Sequence, residues 1–132
     1  MSAELPIRTH AAISTALCGQ PVAMGEGTAT VRLITTPEMA ADDRGLVHGG
    51  FVFGAADLAA MLAVNDPLVV LGQSETRFLA PVRVGQVVVL VAERTQVRGR
   101  KHTVKVMGMA GEKDVFEGTF TCFVLEQHVL DT

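Results

Sequence analysis

Several residue types that mark particular classes of protein are rare or absent in this sequence. Its 132 residues include no tryptophan or tyrosine and only two cysteines. Cys18 and Cys122 stand near opposite ends of the chain, without the close spacing of metal ligands. We therefore interpret them as buried thiols in a reducing compartment, and we predict no metal site. The net charge of −3 and the isoelectric point near 5.7 lack the basic excess that is typical of nucleic-acid binding.

Long apolar runs are missing beyond residue 65. The longest there, Val87–Ala92, is far shorter than a segment that spans a bilayer. Near the N-terminus no basic region precedes an apolar one, and Arg8 and His10 interrupt the apolar character. This pattern predicts no secretory signal, so we expect a cytoplasmic protein without a membrane partner.

The overall composition indicates one domain that associates with copies of itself. No internal repeat, low-complexity tract or linker interrupts the chain, and its length fits a single domain over residues 1–132. Hydrophobic residues make up 48% of the chain, and the mean hydropathy is +0.35. These values are high for a small monomer, so we expect a homodimer or homotetramer that hides part of this surface.

The most informative stretch is residues 44–65, RGLVHGGFVFGAADLAAMLAVN. After His48, the sixteen residues Gly49–Val64 contain a single polar side chain, the carboxylate of Asp57. An apolar run of this length without proline predicts a buried helix. A buried carboxylate without partners is costly, so Asp57 must be paired, reach a cleft or hold a proton.

The two glycines at the start of this helix predict a site for negative charge. Gly49 and Gly50 leave backbone N–H groups uncovered at the positive end of the helix dipole. Asp57 follows Gly49 by eight residues, or about 12 Å along a helix, too far for one small carbonyl group to touch both. If both act on the same bond, the second must come from another copy of the chain, as in a twofold dimer with antiparallel helices.

The remaining patterns predict one further helix and an antiparallel meander. Residues 7–19 carry a helical pattern with Thr9 as its cap and Gly19 as its end, and Pro67 ends the long helix. One long helix followed by such a meander is an α+β layer arrangement. The predicted strands are 21–35, 68–79, 82–97, 102–110 and 115–125, joined by a polar loop at 38–44 and by turns at 98–101 and 111–114.

Segment 44–65 resembles the His-Gly-Gly group of hotdog-fold acyl-CoA thioesterases, of the phenylacetate-pathway and 4-hydroxybenzoyl-CoA type. Asp57 follows His48 by nine positions, as the catalytic carboxylate does in that group, and TRFLAPVRVG at Thr76–Gly85 is similar to its strand after the helix. The resemblance implies a hotdog fold, in which an antiparallel sheet wraps a long central helix. It also implies hydrolysis of an acyl-CoA to a free acid and coenzyme A, without a cofactor or metal.

The resemblance assigns roles to individual residues. Asp57 would be the nucleophile or the general base, and the Gly49 N–H, with Gly50 beside it, would bind the thioester oxygen. His48 would hold the loop or contact substrate. The family places Asn or Gln six positions before this His, where the sequence has Asp42. That residue either caps its own loop or lies beside the carbonyl, where it would have to be protonated or orient water.

Two further groups of residues are candidates for binding. Thr76 or Ser74 could position a water molecule. A basic group fits the phosphates of coenzyme A, because guanidinium groups match phosphate oxygens; the alternative is an ordinary solvated hairpin. The absence of Trp and Tyr leaves both aliphatic and aryl acyl groups open. The basic group consists of Arg98, Arg100 and Lys101, with Arg77 and Arg83.

A second interpretation is an acyl-CoA-binding module without catalysis. Residues 44–59 and the later ETRFLAPVRVGQVVVL also resemble the ligand domain of bacterial fatty-acid repressors. In those domains an amide replaces the helix acid, whereas Asp57 is an acid, and no helix-turn-helix is recognised before residue 20. A hotdog dehydratase would need a His–Asp or His–Glu pair in the pattern of those enzymes, which the sequence lacks.

Overall fold

A computed structural model describes residues 5–132; the first four residues, which belong to the stretch without a signal pattern, lie outside the described part. The strands form one six-stranded antiparallel sheet in the order β1-β2-β4-β5-β6-β3, and the long helix packs on it. The predicted α+β hotdog fold is confirmed. In chain order, the elements are α1 (Thr15–Cys18), β1 (Gln20–Gly25), β2 (Thr28–Ile34), α2 (Gly49–Val64), β3 (Val69–Phe78), β4 (Val87–Arg98), β5 (Lys101–Ala110) and β6 (Lys113–Val124), with 3₁₀ turns at Pro37–Met39 and Val129–Asp131.

Helix α2 has the predicted bounds, and its second half forms the centre of the core. Every residue from Leu58 to Val64 is at most 8% exposed. The inner faces of the sheet cover these residues with aliphatic side chains and with Phe116 and Phe120, all fully buried. Burying each large side chain stabilises the fold by about 1.5–3 kcal/mol. No helix in residues 5–132 combines the length and apolar character needed to cross a bilayer.

The end of α2 is held by Asn65. Its backbone adopts the left-handed conformation, with φ of 54°, and its N–H donates to the Met61 carbonyl at 2.8 Å. The Asn65 side chain accepts from the Arg8 N–H at 2.8 Å and donates to the Pro6 carbonyl at 3.0 Å. The N-terminal segment is therefore tied to the C-terminal end of the helix.

The predicted helix over residues 7–19 is wrong except for its last turn. Only Thr15–Cys18 is helical, and Ser14 rather than Thr9 caps it by accepting from the Leu17 N–H at 3.3 Å. Thr9 instead contacts the ring of His10, whose backbone has a positive φ of 56°. A short segment without a buried face cannot offset the cost of helix nucleation, which explains the loss of the first turns.

The predicted strand over residues 21–35 is two strands. Gly27, with φ of 71°, makes a tight turn that folds β1 back on β2. The predicted strand over 82–97 begins only at Val87, because Gly85 has φ of 97° and residues 82–84 pair with the loop before α2 instead. That second pairing shapes the region around the start of α2.

Candidate functional site

The N-terminus of α2 presents free backbone donors. His48 is the N-cap residue, and its side chain makes no capping hydrogen bond. Its own N–H donates to the Met39 carbonyl at 2.9 Å, which anchors the turn. Within residues 5–132, no backbone carbonyl accepts from the N–H of Gly49 or Gly50. These donors and the positive end of the helix dipole suit an oxygen that gains negative charge.

Side chains lie close to both glycines at this turn. A Cβ atom on Gly49 would lie 3.2 Å from Cε1 of Phe78, and one on Gly50 would lie 2.9 Å from Cδ2 of His48. The His48 ring meets Phe51 edge to face, with 6.2 Å between ring centroids. The His48 side chain therefore packs over the turn, which fits the structural role considered for it.

Asp57 is the one ionisable group in α2. Its side chain is half-buried, and its Oδ1 atom is buried without a hydrogen-bond partner. Burial raises the pKa of this carboxyl from 3.8 to about 6. The neighbouring Cys122 thiol has a pKa raised to about 12, first by burial and then by the Asp57 charge. The thiol therefore stays protonated, and the carboxyl titrates close to neutral pH.

One face of the first half of α2 is uncovered. Gly50 is exposed, Gly54 and Asp57 are half-buried, and a Cβ atom on Gly54 would meet nothing within 4 Å. Positions 50, 54 and 57 follow the helical i, i+4, i+7 spacing and so lie on one side of the helix. An open strip therefore runs from the free N–H groups to the Asp57 carboxylate.

Strand β3 contributes two hydroxyl side chains to the inner layer. Thr76 pairs opposite Gly118, and Ser74 pairs opposite Phe120, whose ring lies 5.6 Å from that of Phe53 in α2. The Ser74 Oγ is buried without a partner. Both hydroxyls thus belong to the layer between β3 and α2, and the unpartnered oxygen makes Ser74 the stronger candidate for holding water.

An apolar cleft of about 310 Å³ opens beside Gly49. It lies between the start of α2 and the end of β3 with the segment that follows; Phe78, the last residue of β3, is 56% exposed. An aliphatic or aromatic chain would fit such a surface. Its lining residues are Val47, Gly49, Val52, Phe78, Leu79, Ala80, Pro81, Val82 and Val115.

Asp42 lies in an adjoining cleft rather than at Gly49. Its Oδ1 accepts from the backbone N–H of Arg44 at 2.9 Å and of Leu46 at 3.1 Å. The carboxylate therefore caps its own loop, as one of the two interpretations expected. This second cleft, of about 210 Å³, is lined by Asp42, Arg44, Leu46, Pro81 and Arg83. Arg44 was not among the predicted site residues, although it directly precedes the Gly45–His48 approach to the helix.

The basic hairpin lies at the other end of the sheet within one chain. Lys101 pairs opposite Phe123, whereas Phe78 beside Gly49 pairs opposite Phe116. These β6 positions are seven residues apart, which corresponds to about 23 Å of strand. Arg98 and Arg100 are at the same hairpin, and Arg100 forms an ion pair with Glu126. A single chain thus does not bring this group to the helix N-terminus.

Arg77 lies on the outer face of the sheet, where it pairs opposite Glu117. It is therefore separated by the sheet from the layer that contains Asp57.

Among residues 5–132, no three His, Cys, Asp or Glu side chains converge in a way that could hold a metal ion.

Residues 44–117, more than half of the chain, match the model of the thioesterase superfamily. The chain belongs to the thioesterase superfamily. The matched segment of this superfamily member contains both helix glycines, Asp57, β3 and most of the residues that line the two clefts.

The curated relatives of this chain are longer proteins, and the chain matches only a part of each. The chain is 49% identical over 123 residues to methylthioribose-1-phosphate isomerase from Aquifex aeolicus, covering 92% of the chain and 27% of that protein. It is 32% identical over 85 residues to transcription factor FapR from Caldanaerobacter subterraneus, covering 64% of the chain and 42% of FapR. The chain thus spans about a quarter of the first relative and less than half of the second.

Solved structures resemble it over nearly their whole length. Protein PH1136 from Pyrococcus horikoshii superposes with a TM-score of 0.96 at 50% identity, covering 98% of this chain and 99% of that one. A point variant of the phenylacetic acid degradation protein PaaI from Thermus thermophilus gives a TM-score of 0.76 at 28% identity, covering 83% and 96%. Both share the hotdog architecture of this thioesterase-superfamily member.

Proposed function

We propose that this chain hydrolyses acyl-CoA thioesters to a free acid and coenzyme A, as a member of the His-Gly-Gly group. The observation that carries the proposal is the Asp57 carboxyl, which is half-buried with its Oδ1 unpartnered and has a pKa of about 6. A carboxyl in this state is suited to chemistry rather than to stability. Membership of the thioesterase superfamily supports a thioester as the reacting group.

In the proposed mechanism, the thioester oxygen accepts a hydrogen bond from the Gly49 N–H. As the tetrahedral intermediate forms, its negative charge is stabilised by this donor and by the helix dipole. A well-aimed donor of this kind lowers the barrier by roughly 3 kcal/mol. The intermediate collapses by releasing the coenzyme A thiolate, which needs little help from an acid.

Asp57 has two chemically sound roles. As a nucleophile it attacks the carbonyl carbon and forms a mixed anhydride, which water then hydrolyses. As a general base it takes a proton from the attacking water, and a pKa near 6 is well matched to that task at neutral pH. Ser74 would hold the water in either case, so Ser74→Ala should lower kcat with little change in the folded state measured by circular dichroism.

The geometry favours a site shared between two copies. Gly49 and Asp57 are separated by about 12 Å of helix. Strand β3 stands at the end of the sheet order and pairs only with β6 in the described part of the chain. A free edge strand can pair with the same strand of a second copy. That pairing would lay two α2 helices side by side and bring Asp57 of the partner subunit toward Gly49, giving two equal sites.

The test measures hydrolysis of a panel of short-chain, long-chain and aryl acyl-CoA substrates, with the release of free thiol as the readout. Asp57→Asn should lower kcat/KM at least about a hundredfold, which is about 2.7 kcal/mol of barrier. Asp66→Asn is the matched control, because that carboxylate only accepts from the Leu68 N–H beyond the end of α2. No hydrolysis of any substrate by the wild-type chain would contradict the proposal.

A second candidate function is acyl-CoA binding without hydrolysis. The similarity to transcription factor FapR over 85 residues favours it. Under this alternative, wild type and Asp57→Asn would bind acyl-CoA with similar affinity in calorimetry, and neither would release thiol. The same panel of substrates therefore separates the two functions.

A further inference from the structure

The cleft that contains Asp42 carries two guanidinium groups without ion-pair partners. Arg44 and Arg83 both line it and both are exposed. Neither forms an ion pair within residues 5–132, where the ion pairs found are Arg94 with Glu26 and Arg100 with Glu126. Two free guanidinium groups on one small cleft form a site for an anion that can accept several hydrogen bonds.

A short ladder of backbone pairs connects this basic cleft to the apolar cleft beside Gly49. The Val47 N–H donates to the Val82 carbonyl at 2.9 Å, and the next pair along is the bridge between Leu46 and Arg83. The first of these pairs lines the apolar cleft and the second lines the basic cleft. Pro81 lines both. Neighbouring pairs on such a ladder point their side chains to opposite faces, so the two clefts meet at Pro81 rather than along the ladder. An elongated ligand could cross at Pro81 from the helix N-terminus to the guanidinium groups.

We propose that the basic cleft binds the nucleotide phosphates of the coenzyme A portion of the substrate. The pantetheine arm then lies in the apolar cleft, which brings the thioester to the Gly49 N–H. This inference rests on the proposed function for the identity of the ligand. It is an alternative to the hairpin group Arg98, Arg100 and Lys101, in which Arg100 already forms an ion pair with Glu126.

The one opposing charge in the cleft is the Asp42 carboxylate. Its Oδ1 is occupied by two backbone N–H groups, but its negative charge remains and weakens phosphate binding. An asparagine at this position would keep an oxygen acceptor for both N–H groups while removing the charge. Asp42→Asn should therefore preserve the loop and tighten the binding of coenzyme A.

The experiment compares ligands with and without the nucleotide end. Calorimetry gives the affinity of the full chain for coenzyme A, adenosine 3′,5′-bisphosphate and pantetheine, and kinetics compare an acyl-CoA with the same acyl-pantetheine. The Arg44→Ala, Arg83→Ala double variant should bind coenzyme A and the bisphosphate at least about tenfold more weakly. Its affinity for pantetheine and its kcat with acyl-pantetheine should be unchanged. Added salt should weaken coenzyme A binding to the wild type more than to the double variant.

The control is the hairpin double variant Arg98→Ala, Lys101→Ala, which should bind all three ligands as the wild type does. Weaker binding of coenzyme A by this variant but not by the Arg44, Arg83 variant would overturn the proposal. An equal loss of affinity for coenzyme A and for pantetheine in the Arg44, Arg83 variant would also overturn it. The hydrolysis assay is read separately. If the wild type hydrolyses acyl-CoA but the Arg44, Arg83 variant binds coenzyme A normally, only the phosphate site is wrong. If coenzyme A binding depends on Arg44 and Arg83 but the wild type does not hydrolyse acyl-CoA, only the proposed function is wrong.

Discussion

The ring of Phe78 lies against Gly49, so that a Cβ atom at position 49 would be 3.2 Å from Cε1 of Phe78. Phe78 is 56% exposed and can move by a few tenths of an ångström. Gly49→Ala should therefore fold, but the shift would misplace the N–H at the start of α2. We expect kcat/KM for an acyl-CoA to fall about 10–100-fold, because donors of this kind depend on exact placement.

Gly54→Ala is the matched control for stability, because within one chain its Cβ atom would meet nothing within 4 Å. Replacing glycine by alanine inside a helix stabilises it by roughly 0.5–1 kcal/mol. Urea unfolding should show this gain for Gly54→Ala and a smaller gain or a loss for Gly49→Ala. A large loss of stability in Gly54→Ala would contradict the open space seen over this face in one chain.

The pH dependence of hydrolysis should follow the Asp57 carboxyl, whose pKa burial raises to about 6. Both proposed roles need the ionised form, so kcat/KM should rise tenfold per pH unit below about 6 and level off above it. In Asp57→Asn the remaining activity should lack this inflection. An inflection that persists in the asparagine variant would mean that another group controls the rate.

The ionisation of Asp57 that raises activity should lower the free energy of unfolding. Below pH 3.8 the carboxyl is protonated in both the folded and unfolded chain; between 3.8 and about 6 the folded chain holds more protons. The free energy of unfolding therefore falls as the pH rises through this window and stays low above it. A shift of this size corresponds to at most about 3 kcal/mol. Asp57→Asn should be more stable than the wild type at pH 8 and equally stable at pH 3, as measured by urea unfolding.

The main helix could be predicted from the sequence because its signals are local. Sixteen residues with one polar side chain are followed directly by Asn65 and Pro67, and the structure begins and ends α2 where predicted. The turn at Gly27 was hidden inside an alternating pattern that continues on both sides of it. Alternation alone does not say whether a strand continues or folds back on itself, since both arrangements keep the same inner face.

The two clefts could not be predicted, because they depend on contacts between distant segments. Arg44 and Arg83 line one cleft only because residues 45–47 pair with 82–84. The sequence pattern around Arg83 reads as part of a long strand, and only the structure shows that β4 begins later, at Val87. The hairpin group was predicted from charge alone, which carries no information about which end of the sheet it occupies.

A site shared between two copies makes a prediction about mixed oligomers. Asp57→Asn keeps an intact Gly49, and Gly49→Ala keeps an intact Asp57, so each variant alone has two defective sites per dimer. In a mixed dimer, Gly49 of the first variant meets Asp57 of the partner subunit and restores one complete site. Random exchange at equal concentrations makes half of the dimers mixed, so activity should recover to about a quarter of the wild-type value. The control is a chain that carries both substitutions mixed with either single variant, which should show no recovery. If each site uses Gly49 and Asp57 of the same chain, the two single variants will stay inactive together, and the shared site will have to be abandoned.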